Sequence, residues 1–426
     1  MTTVTVTKGR MHRFLGDLFF HRDFVRLWIS DTVSLLGNAF TGLALPSIAV
    51  LTFHATPFQL GILFAVAFLP YPALGLFVGV WADRFRRRRI MIAANLGRMI
   101  TLGTIPIASV FGQLSFIQLY LVALVNGILS VWFDIAYQSY LPVLVEKEHL
   151  IEGNQKLQMS ASGAQVAGPG IAGYVYDAIG GALTIAFDAL GYLVSSISLL
   201  TIKKHEEKRA PDLLYPEPNF FREMWEGVLV VGTNPVLWRI AGATATSNLG
   251  TNIMGAVFII FVYKQLNFSP GELGLIGSIG AIGFVLGVLI TGRITAKLGV
   301  GVSLAVSIGS GFIALANPLA LSGNAFLILA AVGFVSSVML PMYNITQVSL
   351  RQAITPNKVQ GRMNATMRTI VWGTIPVGSI VGGILGESIG VVPTIYLGAF
   401  VSGLAVLWIL LGPVIKIRKQ PEPVKD

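Results

Sequence analysis

Long apolar blocks, separated by short polar segments, dominate the sequence between residues 24 and 415. Each block runs for about 20 to 27 residues, and a helix of that length crosses about 30 Å of hydrocarbon at 1.5 Å per residue. Twelve blocks have this character: 24–50, 58–81, 90–110, 115–137, 157–178, 181–202, 236–263, 271–292, 300–322, 325–348, 363–386 and 391–415. The pattern predicts an all-α integral membrane protein with twelve transmembrane helices.

The composition supports the same interpretation. Hydrophobic residues make up 54% of the chain and charged residues only 12%, whereas soluble domains carry about 25% charged residues. The mean hydropathy is +0.73. A water-soluble protein of this length could not cover its surface with so few charges, so the lipid bilayer is the expected solvent. The first apolar block is too long for a signal peptide, and we expect it to remain as a membrane span.

Several kinds of chemistry are absent from the sequence. The chain has no cysteine, which excludes disulfides, thiolate metal sites and cysteine nucleophiles. Its histidines show no i, i+3 or i, i+4 pair, and there is no phosphate-binding G-x-x-x-x-G-K-[ST] segment. The spans hold no serine–histidine, paired-aspartate or HExxH arrangement. We therefore predict no metal, no cofactor and no enzymatic activity.

The net charge is +10, and its distribution is uneven. Basic residues concentrate in the loops on one side of the predicted membrane, whereas the loops on the other side contain a single lysine, Lys264. By the positive-inside rule, both termini and the long middle loop are cytoplasmic, in the inner (plasma) membrane. Because no patch of mixed basic and aromatic residues lies outside the membrane, we expect no nucleic-acid partner.

The middle loop divides the chain into two sets of six spans. It begins with a charged run, KKHEEKRAPD, and continues with FFREMWEGVLVVG, which predicts an amphipathic helix on the cytoplasmic surface. The predicted segments are an N-terminal segment (1–23), a first bundle (24–202), a linker (203–235), a second bundle (236–415) and a tail (416–426).

The two halves repeat each other at a constant offset of 210 residues, as from 38 to 248. The matched pairs include Leu27 and Leu237, Trp28 and Trp238, Asn38 and Asn248, Asn154 and Asn364, Gly168 and Gly378, Gly173 and Gly383, and Asp177 and Glu387. Such a repeat is typical of two pseudo-symmetric six-helix bundles related by an axis along the membrane normal. It indicates a transporter whose substrate binds between the bundles near mid-membrane.

The loop between the second and third spans carries a recognisable motif, GVWADRFRRRR. It resembles the G-x-x-x-D-R-x-G-R-R loop of the major facilitator superfamily, with Arg86 in place of the usual glycine. The matching residues are Gly79, Asp83, Arg84, Arg87 and Arg88. The resemblance implies a cytoplasmic gate in which an acid at the end of the fourth span binds this loop, and Asp134 is the candidate.

Two acids within the spans are candidates for proton coupling. Asp134 is either the structural partner of the gate loop, a proton or substrate site, or a solvated helix end. Asp31 lies about two turns inside the first span, where an ionisable residue is a functional candidate by default. Its alternative role is a structural ion pair with Arg26 or Arg98. Asp188, in the sixth span, is a weaker candidate, for which we expect no direct contact with substrate.

Three asparagines are candidates for the substrate cavity: Asn38, Asn248 and Asn344. The superfamily resemblance implies that spans one, four, seven and ten line the central cavity, which would place all three along the path. The alternative is that each forms hydrogen bonds between helices. Aromatic residues near the path could stack on a planar ligand: Trp28, Trp132, Phe133 and Tyr343.

The fifth span contains GAQVAGPGIAG, with Gly168, Pro169 and Gly173. It resembles the G-P-x-x-G-G motif of drug–proton antiporters within the superfamily. Small residues four apart also permit close helix approach, and this packing role is the alternative. Further segments, including FRLWISDTVSLLGN and VQGRMNATMRTIVWGTIPVGSIVGG, resemble the macrolide-efflux and siderophore-exporter branch. One departure is Asn38, where relatives often have an acid.

Together these features predict a secondary transporter that works by alternating access. The expected activity is proton-coupled efflux of an amphipathic organic compound, such as a drug or macrolide, by a monomer in the lipid bilayer. Export of a siderophore or another self-made metabolite is an alternative, as is lysolipid transport. A more distant alternative is a membrane sensor that transports nothing.

Overall fold

The computed structural model describes residues 17–82, 85–146, 149–204, 206 and 220–422. This part of the chain is helical, with no β-strand. A short 3₁₀ turn (Asp17–Phe20) precedes the α-helices. These are α1 (Arg22–Leu51), α2 (Pro57–Phe68), α3 (Pro70–Ala82), α4 (Arg87–Val110), α5 (Phe116–Leu144), α6 (Leu150–Ile179), α7 (Gly181–Thr201), α8 (Phe220–Thr233), α9 (Pro235–Ile260), α10 (Pro270–Leu298), α11 (Val300–Gly309), α12 (Ala325–Ala353), α13 (Asn357–Ser388), α14 (Val391–Leu404) and α15 (Val406–Leu410).

The helices correspond to the twelve apolar blocks. In the described residues, 11 helices are long and apolar enough to cross a membrane. The twelfth span is α6, whose 30 residues are sufficient in length but whose first turns are polar. Four spans are composite. α2 and α3 meet at Leu69–Pro70, α9 continues as a π-helical segment (Phe261–Gln265), α11 continues as a 3₁₀ segment (Ser310–Leu321), and α14 is followed by α15. A proline lacks the N–H that an unbroken helix would use, which accounts for the break before α3.

Sharp turns between neighbouring spans rest on glycine. Gly180 joins α6 to α7 with φ of 85°, Gly299 joins α10 to α11 with 85°, and Gly390 joins α13 to α14 with 93°. This left-handed region is disfavoured for residues with a Cβ. Because Gly180 and Gly390 are separated by the repeat offset of 210, the two halves use the same turn at the same place.

The two bundles are built alike. In the first, α1 packs against α6 and α7, and in the second α9 packs against α13 and α14. The halves meet along two corresponding contacts, α6 with α10 and α2 with α13. Glycines allow this close approach: a Cβ on Gly61 would lie 3.0 Å from the Gly383 Cα, and one on Gly173 would lie 2.9 Å from the Gly271 Cα.

The bundle has two chemically different ends. We call the end that holds the first residues of α1, α4, α6 and α13 the basic end, because most arginines and lysines lie there; the other is the opposite end. The helix predicted in the middle segment is α8, at the basic end. It packs on the second half, where Glu226 pairs with Arg362 and Val231 is buried beside Met363 and Met367.

Candidate substrate cavity and buried acids

The two halves are sealed together at the opposite end. An apolar cluster contains residues of both halves, including Leu45 and Ile48 of α1 and Val257 and Ile260 of α9. The hydroxyls of Ser47 and Tyr263 bond across the halves at 2.7 Å. The Lys264 ammonium group donates to the backbone carbonyls of His54 and Ala55, each at 3.3 Å. The contact between the halves at this end is therefore apolar at its centre and polar at its rim.

Two acidic side chains fasten this end in a symmetric way. Asp177, in the last turn of α6, accepts hydrogen bonds from the Ser269 hydroxyl at 2.8 Å and the Gly271 N–H at 3.0 Å, at the start of α10. Glu387, in the last turn of α13, accepts one from the Thr56 hydroxyl at 3.2 Å, at the start of α2. A carboxylate is favourable beside a helix N-terminus. The repeat relates the two acids, so each half supplies one carboxylate to the other.

A cavity of about 370 Å³ lies between the halves, on the basic side of this seal. Its wall is formed by α3 and α5 of the first half and by α13 of the second. The lining residues are Tyr71, Pro72, Gly75, Val131, Asp134, Ile135, Gln138, Ser139, Asn364, Ala365, Arg368, Thr369 and Trp372. The wall is mostly apolar, with one acid on the first half and one arginine on the second. Such a surface suits an amphipathic ligand.

Four of these side chains form a continuous path across the cavity. The Tyr71 hydroxyl donates to the Asp134 carboxylate at 3.2 Å. The Tyr71 ring packs edge-on against Trp372, with ring centroids 4.4 Å apart. The Arg368 guanidinium lies over the Trp372 ring, 4.3 Å from its centroid. The path thus runs from an acid on the first half to a cation on the second.

Asp31 is buried behind this wall, with only 6% of its surface exposed. The Tyr137 side chain of α5 lies near its carboxylate, and Asp134 lies near enough to interact electrostatically. The two candidate acids are therefore neighbours on α1 and α5. The alternative pair with Arg26 is not formed, since Arg26 binds Asp23 at 2.7 Å.

Arg98 is a buried cation. The sequence suggested it only as an alternative ion-pair partner for Asp31. It is 2% exposed and lies between the rings of Phe133 and Tyr192, 4.8 and 5.0 Å from their centroids. One of its terminal nitrogens donates to the Leu129 carbonyl at 3.3 Å, while Nε has no hydrogen-bond partner. The positive charge of Arg98 interacts electrostatically with the carboxylates of Asp134 and Asp188. An arginine in the middle of an apolar block was the signal that could have identified it.

Asp188 lies deeper in the same half and does not line the cavity. It is fully buried on α7, where the Thr41 hydroxyl donates to Oδ2 and Oδ1 has no partner. Gly37 leaves room for this carboxylate against α1. That Asp188 makes no direct contact with substrate remains a prediction.

The three candidate asparagines are not part of the cavity wall. Asn38 accepts a hydrogen bond from the Tyr192 hydroxyl, and the Asn248 amide donates to the Val371 carbonyl at 3.3 Å. Both bonds join helices of one half, which is the alternative considered for buried asparagines. Asn344 is exposed on α12. Their role as substrate contacts remains a prediction.

The aromatic side chains near the cavity also differ from those suggested by the sequence. Phe133 is buried under Arg98, and Tyr343 is buried with its hydroxyl bonded to Thr244. The aromatic part of the wall comes instead from Tyr71 and Trp372. Their neighbourhood depends on how α3 and α13 face each other, which spacing along one helix does not reveal.

Comparison with known proteins agrees with this architecture. Residues 18–422 match a family model described as transmembrane secretion effectors, within the major facilitator superfamily. The chain belongs to the major facilitator superfamily of membrane transporters. This family consists of transporters rather than enzymes. The protein is accordingly a multi-pass membrane transporter.

Curated relatives within the superfamily are efflux proteins. Macrolide efflux protein A of Streptococcus pyogenes is 25% identical over 373 residues, covering 86% of this chain and 90% of the relative. The enterobactin exporter EntS of Salmonella typhi is 24% identical over 422 residues, covering 95% and 96%. The multidrug efflux pump Tap of Mycolicibacterium fortuitum is 25% identical over 395 residues, covering 89% and 91%. The predicted resemblance to this branch is confirmed.

Solved structures confirm the predicted fold. A variant of the nucleoside transporter NupG superposes with a TM-score of 0.74 at 13% identity, covering 91% of this chain and 99% of NupG. A bacterial homologue of the iron transporter ferroportin, in an inward-facing state, gives 0.75 at 15% identity, covering 92% and 98%. At these identities the likeness concerns the fold alone.

The predicted gate motif of the superfamily lies at the basic end, where Asp83 and Arg84 fall outside the described residues. Gly79 belongs to α3. Arg87 pairs with Glu206 at 3.7 Å, and Glu206 also accepts the backbone N–H groups of Arg87 and Arg88. The Arg88 guanidinium donates to the carbonyls of Leu199 and Leu200 at the end of α7. The motif's arginines thus hold the start of α4 to the end of α7.

Our assignment of Asp134 as the acid that binds Arg87 is wrong. Asp134 lies ten residues before the end of α5, nearly three helical turns from the basic end. Its neighbours are Tyr71 and Arg98 rather than the gate loop. Glu206 takes the place at the loop because it follows α7 directly, next to the N-terminus of α4. This leaves Asp134 available to the cavity of the transporter.

The antiporter-like motif packs against two helices: Gly168 faces α1 of the same half, whereas Pro169 and Gly173 face α10 of the other half. A Cβ on Gly168 would lie 2.6 Å from the Ala39 Cβ, and the backbone carbonyl of Pro169 lies against Gly274. Gly173 contacts the backbone of Pro270 and Gly271. The geometry agrees with close helix packing between the halves of the transporter, and the motif's role in antiport remains a prediction.

Proposed function

We propose that the protein is a proton-coupled exporter of an amphipathic organic compound, working by alternating access. The observation that carries the proposal is the cavity between the halves, with Asp134 in its wall and the buried Asp31 close enough to interact with Asp134 electrostatically. Buried acids beside a central cavity suit a carrier that exchanges protons for substrate. Asp31 and Asp134 are the proposed proton sites.

Orientation follows from the charge distribution. The positive-inside rule assigns the basic end to the cytoplasm, so the cavity lies on the cytoplasmic side of the seal. A substrate enters from the cytoplasm, the halves then close around it at the basic end, and the opposite end opens to release it. While the opposite end is open, protons bind to the two acids from outside. The carrier then returns to the state that is open at the basic end, where the protons leave to the cytoplasm.

Relatives support export as the direction. The printed functions of the similar proteins are macrolide efflux, enterobactin export and multidrug efflux. They share transport of an organic compound out of the cell and differ in the compound named. Export of a siderophore or another self-made metabolite is therefore the second candidate function, supported by the arginine in the cavity wall.

Proton flux in proteoliposomes tests the proposal. Wild type and Asp31→Asn are challenged with a panel of macrolides, lipophilic drugs and siderophores, and substrate and proton movements are recorded together. Because two acids share the proposed coupling, Asp31→Asn should roughly halve the protons moved per substrate. The matched control is Glu146→Gln, which removes an exposed carboxylate outside the cavity and should leave the ratio unchanged.

Other outcomes of the same assay separate the parts of the proposal. Substrate movement without any proton movement in the wild type would discard antiport and keep the exporter. An unchanged proton ratio in Asp31→Asn would remove that residue from the coupling. Substrate movement only from the opposite end to the basic end would contradict export.

A further inference from the structure

The two charged side chains that face the cavity, Arg368 and Asp134, differ in how far neighbouring groups of the protein balance their charge. Arg368 is exposed on α13, and among the described residues it forms no ion pair and donates no hydrogen bond. Its guanidinium lies over the Trp372 ring, 4.3 Å from the centroid. A guanidinium stacked on a ring keeps all its N–H groups at the edge, where they point away from the ring face. These donors remain available to a ligand.

Asp134, across the cavity, is in a different situation. Its carboxylate accepts a hydrogen bond from Tyr71, and the buried Arg98 interacts with it from behind. Arg368 interacts with Asp134 more weakly across the cavity, so the negative charge of Asp134 is balanced mainly within the first half. A cation arriving in the cavity would compete with Arg98, whereas an anion meeting Arg368 competes only with this weaker interaction.

The arginine and tryptophan are also not required by the repeated architecture. The offset of 210 relates Arg368 to Gln158 and Trp372 to Ser162. The corresponding helix of the first half is therefore built without a cation or an aromatic ring at these places. A feature that one half has and the other lacks is free to serve the ligand.

We propose that the cavity recognises an aromatic compound carrying an anionic group such as a carboxylate. The anionic group accepts N–H groups of Arg368, and the adjoining ring packs along Trp372 and Tyr71. A planar fork of donors matches a carboxylate bidentately, and aromatic rings 4.5 to 7 Å apart gain from edge and face contacts. This rests on the proposed function, since it names the substrate class of the same cavity.

Binding of three naphthalene derivatives tests the inference without a proton gradient. The probes are 2-naphthoate, 2-naphthamide and 2-naphthylmethylammonium, which share a ring and differ in charge. They are titrated calorimetrically into the full chain in lipid nanodiscs. We expect naphthoate to bind about tenfold more tightly than naphthamide, because hydrogen bonds to a charged group are worth more than neutral ones. The ammonium probe should bind least.

Variants assign the preference to its residues. Arg368→Gln should bring the affinity for naphthoate down to that for naphthamide in the same variant, and an unchanged thermal unfolding temperature reports correct folding. Trp372→Leu should weaken all three probes and keep their order. Arg293→Gln, which removes an exposed arginine of α10 outside the cavity wall, is the matched control and should change nothing.

The opposite results would overturn the inference. Tightest binding of the ammonium probe, no binding of naphthoate, or an unchanged naphthoate preference in Arg368→Gln would each contradict it. Because no gradient is present, these outcomes are independent of proton coupling. Failure of antiport in the Asp31→Asn assay would leave the binding result standing.

Discussion

Oxidation should stop substrate transport by a Gly170→Cys/Ser278→Cys variant, and reduction should restore it. The Gly170 N–H donates to the Ser278 hydroxyl at 3.0 Å, across the contact between α6 and α10. A Cβ on Gly170 would lie 3.7 Å from the Ser278 Cβ, close to the separation of about 3.8 Å found in disulfides. The bond would fix the two halves at their seal, and a carrier that cannot separate them cannot release its substrate at the opposite end.

The natural chain makes this experiment clean because it contains no cysteine. Transport is measured in proteoliposomes before oxidation, after oxidation and after treatment with dithiothreitol. Each single variant, oxidised in the same way, should transport at its unoxidised rate. Full transport by the cross-linked double variant would show that α6 and α10 stay together during turnover, which would exclude opening at this contact.

The double variant Asp177→Asn/Glu387→Gln should favour the state open at the opposite end by about thirtyfold. Each carboxylate holds the N-terminus of a helix in the other half. Exposed hydrogen bonds of a charged group are worth about 1 kcal/mol each, so losing both shifts the balance by that factor. The readout is maleimide labelling of a Ser47→Cys substitution, because Ser47 is fully buried in the seal.

A third acid at the same end provides the control for this labelling. Glu272 accepts a hydrogen bond from the Ser269 N–H within the first turn of α10, so it does not join the halves. Glu272→Gln should leave the labelling rate unchanged. Equal labelling of the double variant and the parent would mean that the two carboxylates do not hold the seal.

Much of the fold was predictable from the sequence because membrane spans are set by length and apolar composition. The blocks ending at residues 50, 110 and 178 match helices that end at Leu51, Val110 and Ile179. The break before Pro70 and the 3₁₀ segment after Gly309 were not anticipated. Both keep the chain within one membrane span, so hydropathy does not distinguish them from an unbroken α-helix.

The side-chain partners were harder to predict than the helices. Arg87 was assigned to Asp134 by resemblance, yet it binds Glu206, because the turn after α7 brings that acid beside α4. Arg368 and Trp372 were not predicted as cavity residues, because the segment that contains them was used only for its resemblance to other exporters. Comparing each residue with its counterpart 210 positions away would have identified both, because the first half has Gln158 and Ser162 at the corresponding positions.

The apolar seal also determines how quickly the carrier can turn over. Opening the opposite end exposes Leu45, Ile48, Val257 and Ile260 to water, and each buried side chain of this kind resists exposure by about 1.5 to 3 kcal/mol. We therefore expect the separation of these side chains, rather than the encounter with substrate, to be the slow step of the cycle. Smaller residues in the seal would give a faster carrier with a less tight barrier, through which protons leak without moving substrate.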